Sequence, residues 1–308
     1  MLTFDQSSTG VFVISVTPFL DNGGLDIEGV DRLIAFYLSH GVTGITILGM
    51  MGEAPKLSAA ESNAFIARVT ACVAGAVPVI VGVSAPGFAP MKELTDAAMA
   101  EGAAGVMVAP PSSLRTERQI VDYFDMVAET LGPVPFVLQD FPLATQVQIP
   151  AATLQTIASR LPGFVMLKHE DWPGLDKITA LRAAEVAGAR RVSILVGNGG
   201  IFLPEELARG ADGAMTGFAF PEMMVDVCRL HADGKPDAAS DLFDAYLPLV
   251  RYEQQPGIGL AVRKHVLHAR GVLRSARIRK PGRGLAGAEI TEVERLIGRQ
   301  ARRIADLG

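Results

Sequence analysis

The sequence predicts an α/β protein, a (β/α)₈ TIM barrel with a C-terminal helical appendage, on three observations. Short β-rich apolar runs recur eight times, segments of helical periodicity separate them, and the rhythm stops after Gly217. Eight parallel strands each followed by a helix close most naturally into a barrel, because right-handed crossovers then cover the whole outer face. A doubly wound open sheet is the alternative, but the Gly-rich fingerprint after the first strand is missing.

In order, the expected strands are Val11–Thr17, Gly44–Leu48, Val79–Gly82, Gly105–Ala109, Phe136–Asp140, Val165–Lys168, Ser193–Gly197 and Gly213–Gly217. Such apolar runs suit strands buried on both faces. Between the first two, Ile27–Ser39 puts Val30, Leu33, Ile34 and Tyr37 on one helical face. The segment Ala59–Val73 follows Ser58, with Glu61 three residues on, the pattern of a capping box. Beyond Gly217 the pattern predicts helices near Pro221–Asp233, Pro236–Glu253, Gly259–Arg270 and Ala288–Asp306, with a Pro-, Gly- and Arg-rich loop at Arg279–Gly287 before the last. The expected organisation is a barrel over residues 1–220 and a helical region, 221–308, packed on it.

Composition fits this architecture. A chain of 308 residues and 32.6 kDa accommodates the roughly 250 residues that such barrels need. With 49% hydrophobic and 20% charged residues and a mean hydropathy of +0.30, it supports a large core and excludes a disordered chain. Every apolar run is broken by Gly, Pro or a charge before the 18 or so residues needed to span a bilayer, and MLTFDQSSTG lacks a signal pattern. The expectation is a cytoplasmic protein without a membrane. A net charge of −5 and a pI near 5.6 argue against nucleic acid, and the basic stretch Arg251 to Arg279 reads as solvated helix surface. Cys72 and Cys228 read as buried free thiols in a reducing compartment. The five histidines, His40, His169, His231, His265 and His268, show no ligand spacing, so no metal is expected.

In such barrels the reactive groups stand at the carboxyl ends of the strands. Lys168 ends the run Phe164-Val165-Met166-Leu167 and should aim from the wall toward the mouth. Desolvation there would favour the neutral amine, which can attack a carbonyl and form an iminium electron sink. Equally, it could be a strand-end lysine whose charge is balanced by Glu170 or Asp171. The stretch Gly49-Met50-Met51-Gly52-Glu53 could direct backbone N–H groups at a carboxylate or phosphate, or be an ordinary tight turn. Gly197–Gly200 leaves the same choice open.

Taken together, these pieces resemble the dihydrodipicolinate synthase / N-acetylneuraminate lyase family of class I aldolases. The resemblance rests on Gly10–Phe19 followed by Asp21-Asn-Gly-Gly-Leu-Asp26, on Gly49-x-x-Gly-Glu53 with Leu57-Ser58 behind it, and on Pro78–Gly82. It continues through Ala109-Pro-Pro111, Asp140-Phe-Pro142 and Val165-Met-Leu-Lys168, in order over most of the chain. It implies a homotetramer built as a dimer of dimers, a 2-oxo acid such as pyruvate held as an imine on Lys168, and no other cofactor. The substrate carboxylate is implied to sit on Gly49, Met50, Met51 and Gly52, with Gly197 and Met215 completing the contact set.

Several positions depart from the family pattern. Where the family keeps a catalytic tyrosine at the end of strand five, this chain has Gln139, which cannot relay a proton as a phenol does. Met50 and Ser112 stand where the synthase branch carries the other two relay groups, and no basic residue is found near Ala144 and Thr145. The expected activity is therefore a Schiff-base lyase, aldolase or dehydratase, on a 2-oxo acid, and not lysine-pathway synthesis. Its proton carrier would be water, the substrate, or one of Asp140, Glu170 and His169. A non-catalytic carboxylate-binding sensor or scaffold is the alternative, and a phosphate-binding isomerase using Gly197–Gly200 the last choice.

Overall fold

Strands β1 (Gly10–Ile14), β2 (Gly44–Ile47), β3 (Val79–Gly82), β4 (Gly105–Val108), β5 (Phe136–Asp140), β6 (Phe164–His169), β7 (Ser193–Val196) and β8 (Gly213–Ala214) pair in parallel, each with the next. β8 returns to β1 through Gly10↔Gly213 and Val11↔Ala214, closing an eight-stranded barrel in the computed structural model, which describes residues 4–307. All eight expected strands form. β2, β4 and β7 end one residue earlier than expected, whereas β1 stops at Ile14 and β8 at Ala214, three residues early; bonds from Ser15 N–H to Thr46 O (2.9 Å), Met215 N–H to Val196 O (2.8 Å) and Ile14 N–H to Thr216 O (2.8 Å) continue these two. β6 is longer and runs to His169.

Around the barrel lie α1 (Ile27–Ser39), α2 (Ala59–Val73), α3 (Phe88–Ala100), α4 (Glu117–Leu131), the single turn α5 (Pro142–Thr145), α6 (Ala151–Arg160), α7 (Leu175–Val186) and α8 (Leu203–Ala208). The helix starts follow from local chemistry. Ser58 accepts from Glu61 N–H while the Glu61 carboxylate accepts from Ser58 N–H, the capping box expected for α2, and Asp26 caps α1 by accepting from Gly29 N–H. Val30, Leu33, Ile34 and Tyr37 of α1 are buried as expected. Caps of this kind each contribute about 1 kcal/mol.

Four further helices follow: α9 (Pro221–Ala232), α10 (Pro236–Glu253), α11 (Gly259–Ala269) and α12 (Gly287–Asp306). α9 packs on β1, α8 and α10, and α10 packs on α9, α11 and α12 and also reaches α8 and the turn after β7. The boundary expected at 220/221 falls between β8 and α9. No helix among the described residues is long and apolar enough to cross a membrane.

Two apolar cores result from the period-two alternation of the strands. Phe12, Ile14, Ile80, Met107, Val137, Met166, Leu195 and Met215 fill the barrel interior, while Val11, Val13, Ile45, Ile47, Leu138 and Leu167 pack outward against the helices. On β6 the inward sequence Met166, Lys168, Glu170 alternates with outward Leu167 and His169. On β5, Val137 and Gln139 face in while Leu138 and Asp140 face out. The register Gln139↔Lys168 then sets these two inward residues side by side above the packed interior.

Candidate active site

At the carboxyl ends of the strands a cavity of about 90 Å³ is lined by Ile14, Met50, Met51, Gln139, Phe141, Lys168, Glu170, Asn198, Gly199, Thr216, Gly217, Gln254 and Arg263. A larger hollow, about 900 Å³, lies at the opposite end among Phe4, Val73, Met99 and Ala103. It gathers almost no titratable groups, so volume does not locate the chemistry here. The mouth cavity does, because an amine, a carboxylate, amides and a guanidinium converge on a space sized for a small molecule.

Lys168 is buried, and its Nζ lies 3.0 Å from Glu170 Oε2. The same oxygen accepts a bond from Gln139 Nε2 at 2.7 Å. Three side chains from two adjacent strands thus meet at one carboxylate, all less than a tenth exposed. Space for that carboxyl group comes from Gly197: a Cβ there would overlap Glu170 Cγ and Oε1. The strand-six end is tied down by Glu170 N–H to Asp140 O (2.9 Å) and by Asn198 Nδ2 to Glu170 O (3.0 Å).

Of the three side chains considered as proton carriers, only Glu170 enters the cavity. Asp140 faces outward and accepts from Lys177 Nζ at 2.7 Å, and Lys177 also pairs with Asp171 at 2.6 Å. Burial raises the Asp140 carboxyl to about 6, against the pull of Lys177. His169 lies on the same outer face, its Nε2 3.1 Å from Gly174 O, and burial followed by the Lys177 charge lowers it to about 4. A neutral imidazole cannot form an ion pair with Asp140, 3.9 Å away. Asp171, the other suggested counterion of Lys168, is engaged by Lys177 instead.

The glycine turn is a short 3₁₀ segment, Met50–Gly52, entered from Leu48 at φ +54° and left through Glu53 at φ +56°. Its own bonds use Gly52 N–H to Gly49 O (3.0 Å) and Glu53 N–H to Met50 O (3.1 Å). The Gly52 N–H expected to hold a carboxylate is therefore committed to the turn, which leaves the N–H groups of Met50 and Met51. Thr17 Oγ1 donates to Gly52 O at 2.6 Å and fixes the turn to the end of β1. Gly49 and Gly52 shape the turn from behind, whereas Met50 and Met51 line the cavity. Ser112 is exposed and outside the lining.

Gly197 and Met215 also take roles other than direct lining. Gly197 admits Glu170, and Met215 lies below the cavity, fully buried in the interior core. The alternative anion site at Gly197–Gly200 has its N–H groups in use: Gly199 to Thr216 Oγ1 (2.8 Å), Gly200 to Gly197 O (2.8 Å) and Asn198 toward Glu170 Oε1 (3.4 Å). It is a structural turn, not a free nest.

The helical appendage supplies residues that sequence reasoning missed. Arg263 of α11 is buried, donates Nε to Glu253 Oε1 at 2.6 Å and Nη2 to Gly217 O, and its Nη1 is buried without a partner among the described residues. Gly217 permits this approach, since a Cβ would overlap Nη1. Gln254, at the end of α10, closes over Gly199. The basic stretch expected to be solvated is thus partly internal: Arg263 and Lys264 are buried, and Arg279 pairs with Glu61 at 2.5 Å and lies over the Phe19 ring. The signal was the apolar spacing around Arg263-Lys264, which is poor for an exposed helix face.

The model of the dihydrodipicolinate synthetase family matches residues 7–300. L-2-keto-3-deoxyarabonate dehydratase of Azospirillum brasilense is 29% identical over 276 residues, 88% of each chain. The crystal structure of dihydrodipicolinate synthase from Rhodopseudomonas palustris superimposes with a TM-score of 0.95 at 51% identity, covering 97% of this chain and 100% of that one. YagE, a prophage protein of the dihydrodipicolinic acid synthase family from E. coli K12 solved in complex with pyruvate, gives a TM-score of 0.85 at 25% identity, over 95% and 98% of the two chains.

Proposed function

The chain belongs to the dihydrodipicolinate synthetase family, and from that membership we propose that it is a Schiff-base-forming lyase, aldolase or dehydratase, acting on a 2-oxo acid. One observation carries the reading. Lys168, the one lysine of the cavity wall among the described residues, is buried at the end of β6 with its amine facing a space that fits a small acid. Attack of the neutral amine on the 2-oxo carbon, with loss of water, gives an iminium whose positive nitrogen draws electrons from the neighbouring carbon. The N–H groups of Met50 and Met51, without a partner among the described residues, suit the substrate carboxylate, while the methionine side chains offer soft apolar surface. No cofactor other than the covalent imine is required, and the partner is a small molecule.

Relatives support the same class. The Azospirillum brasilense protein is named for dehydration of a 2-keto acid, and YagE was crystallised with pyruvate. Synthesis of dihydrodipicolinate is not our reading, despite the name of the Rhodopseudomonas palustris structure, because Gln139, Met50 and an exposed Ser112 stand at the relay positions. A homotetramer in the cytoplasm is part of the proposal, and the exposed pair Trp172 and Phe202, edge to face at 5.8 Å, is a surface that assembly would cover.

Incubation with pyruvate and other 2-oxo acids, followed by borohydride reduction and peptide mass spectrometry, tests the imine. A mass gain on Lys168 is expected, and its absence with every acid would end the proposal. The Lys168–Glu170 ion pair favours one other reading, a non-catalytic carboxylate binder whose lysine is merely neutralised. Lys168→Ala separates the two: unchanged affinity for the same acid supports the binder.

A further inference from the structure

Imine formation moves protons at two places. The ammonium must lose one before its nitrogen can attack, and the carbinolamine oxygen must gain one before it leaves as water. A single group that touches the nitrogen and accepts a proton can serve both. Among the described residues, the carboxylate that meets Lys168 Nζ is Glu170, at 3.0 Å.

We propose that Glu170 is a catalytic residue, the proton carrier of imine formation on Lys168, oriented by Gln139 and admitted by Gly197. This rests on the imine reading above and deepens it. Three independent features support it. The alternation of β6 directs residues 168 and 170 to the same side. Gln139 Nε2 donates to Glu170 Oε2 at 2.7 Å, so the oxygen facing Lys168 is held in place by an amide that does not titrate. Gly197 leaves the volume in which the carboxyl group sits, and Asn198 N–H approaches its other oxygen at 3.4 Å. Asp140 and His169, on the outer face of β5 and β6, have no such access to the amine.

The step balances as follows. Glu170 carboxylate takes a proton from the Lys168 ammonium. The freed nitrogen pair bonds to the 2-oxo carbon while the carbonyl π pair moves to oxygen, and a second nitrogen proton moves to that oxygen to give the neutral carbinolamine. Glu170 returns its proton to the hydroxyl, the C–O bond breaks with its electrons on oxygen, and water departs as the nitrogen pair forms the C=N bond. Iminium, water and the original carboxylate remain.

The test follows reductive trapping of pyruvate, 2-oxobutyrate and 2-oxoglutarate on Lys168 with excess cyanoborohydride, reading the initial rate of mass gain from pH 5 to pH 10. Glu170→Gln is expected to lower that rate by about 10²-fold or more, in the ordinary range for a lost proton carrier, and to replace the wild-type profile by a steady rise with pH as solvent removes the Lys168 proton. The other charges around Glu170 are Lys168 on β6, Arg263 across the cavity, Glu206 on α8 and Asp140 on β5, and all remain in the variant. Glu170→Asp keeps a carboxylate and should restore the wild-type shape of the profile at a reduced rate. Wild-type rate and profile in Glu170→Gln, or identical behaviour of the Gln and Asp variants, would overturn the role of Glu170 and leave the imine intact. No mass gain in the wild-type protein with any of the three acids would remove the imine reading and this inference together.

Discussion

Glu53 and Lys264, 211 residues apart in sequence, meet at 2.6 Å with both side chains buried. One leaves the Met50–Gly52 turn and the other belongs to α11, so the pair fastens the appendage to the barrel mouth. Lys56 Nζ and Arg279 N–H also donate to Glu53, at 2.8 and 3.0 Å. Removing one partner of a buried pair costs about 3–5 kcal/mol. Lys264→Met should therefore destabilise the protein by that order in urea unfolding, and raise KM more than it lowers kcat, because the turn proposed to receive the substrate carboxylate loses its anchor.

Arg263 should separate charge from reach. Arg263→Met strands the Glu253 carboxylate, which burial already raises above its ordinary value, and should lower stability by about 3–5 kcal/mol. Arg263→Lys keeps the charge but loses the fork that spans Glu253 and Gly217 O. It is expected to fold with a smaller loss and to bind 2-oxo acids about tenfold more weakly, measured by calorimetry, if the unpartnered Nη1 serves the ligand.

Gly197→Ala introduces one methyl group where the Glu170 carboxyl lies. The strand can shift little, so the carboxylate should be displaced from Lys168. Overpacking of this kind costs about 1–3 kcal/mol, a modest loss for a domain of this size, while trapping at Lys168 should slow by at least tenfold. Melting temperature and trapping rate, measured on the same preparation, check the contrast.

Glu206 gives a pH dependence. Burial first, then the like charges of Glu205 and Glu170, raise its carboxyl to about 8, and its Oε2 has no partner among the described residues. A carboxyl raised on folding holds more protons in the native state than in the unfolded chain. Its contribution to stability is present below the unfolded value near 4.3 and is lost as pH rises toward 8. Glu206→Gln should match the wild type near pH 4.5 and exceed it at pH 8 by a few kcal/mol, read from urea midpoints at the two pH values.

The barrel was legible because its signals are local: apolar runs of strand length, amphipathic segments between them, and a capping box at Ser58. Lys168 was legible because it ends such a run. Glu170 stood in the sequence both as a counterion of Lys168 and as one of three side-chain proton carriers, and its inward direction could not be chosen there, since it depends on β6 running on to His169 and on Gly197 across the neighbouring strand. Asp140 and His169 each adjoin a residue expected to point inward, so alternation already counted against both in the sequence, and both face outward in the structure. The apolar spacing around Arg263-Lys264 signals burial, but the place of Arg263 and Gln254 at the mouth was not legible, because it follows from how α10 and α11 meet the turns after β7 and β8. The bond from Gly52 N–H to Gly49 O was hidden for a similar reason: a 3₁₀ turn and an open nest share the same glycine spacing.

The return of α11 to the mouth also fixes an order of events during synthesis. A ribosome that has released residues 1–253 has delivered all eight strands, the lysine and its carboxylate, yet Glu53 still lacks Lys264 and Gly217 still lacks Arg263. The Lys168 amine is thus made early and its chamber late. If the proposed function holds, a nascent or truncated chain carries its nucleophile without the finished wall that would let it choose among the carbonyl compounds of the cell.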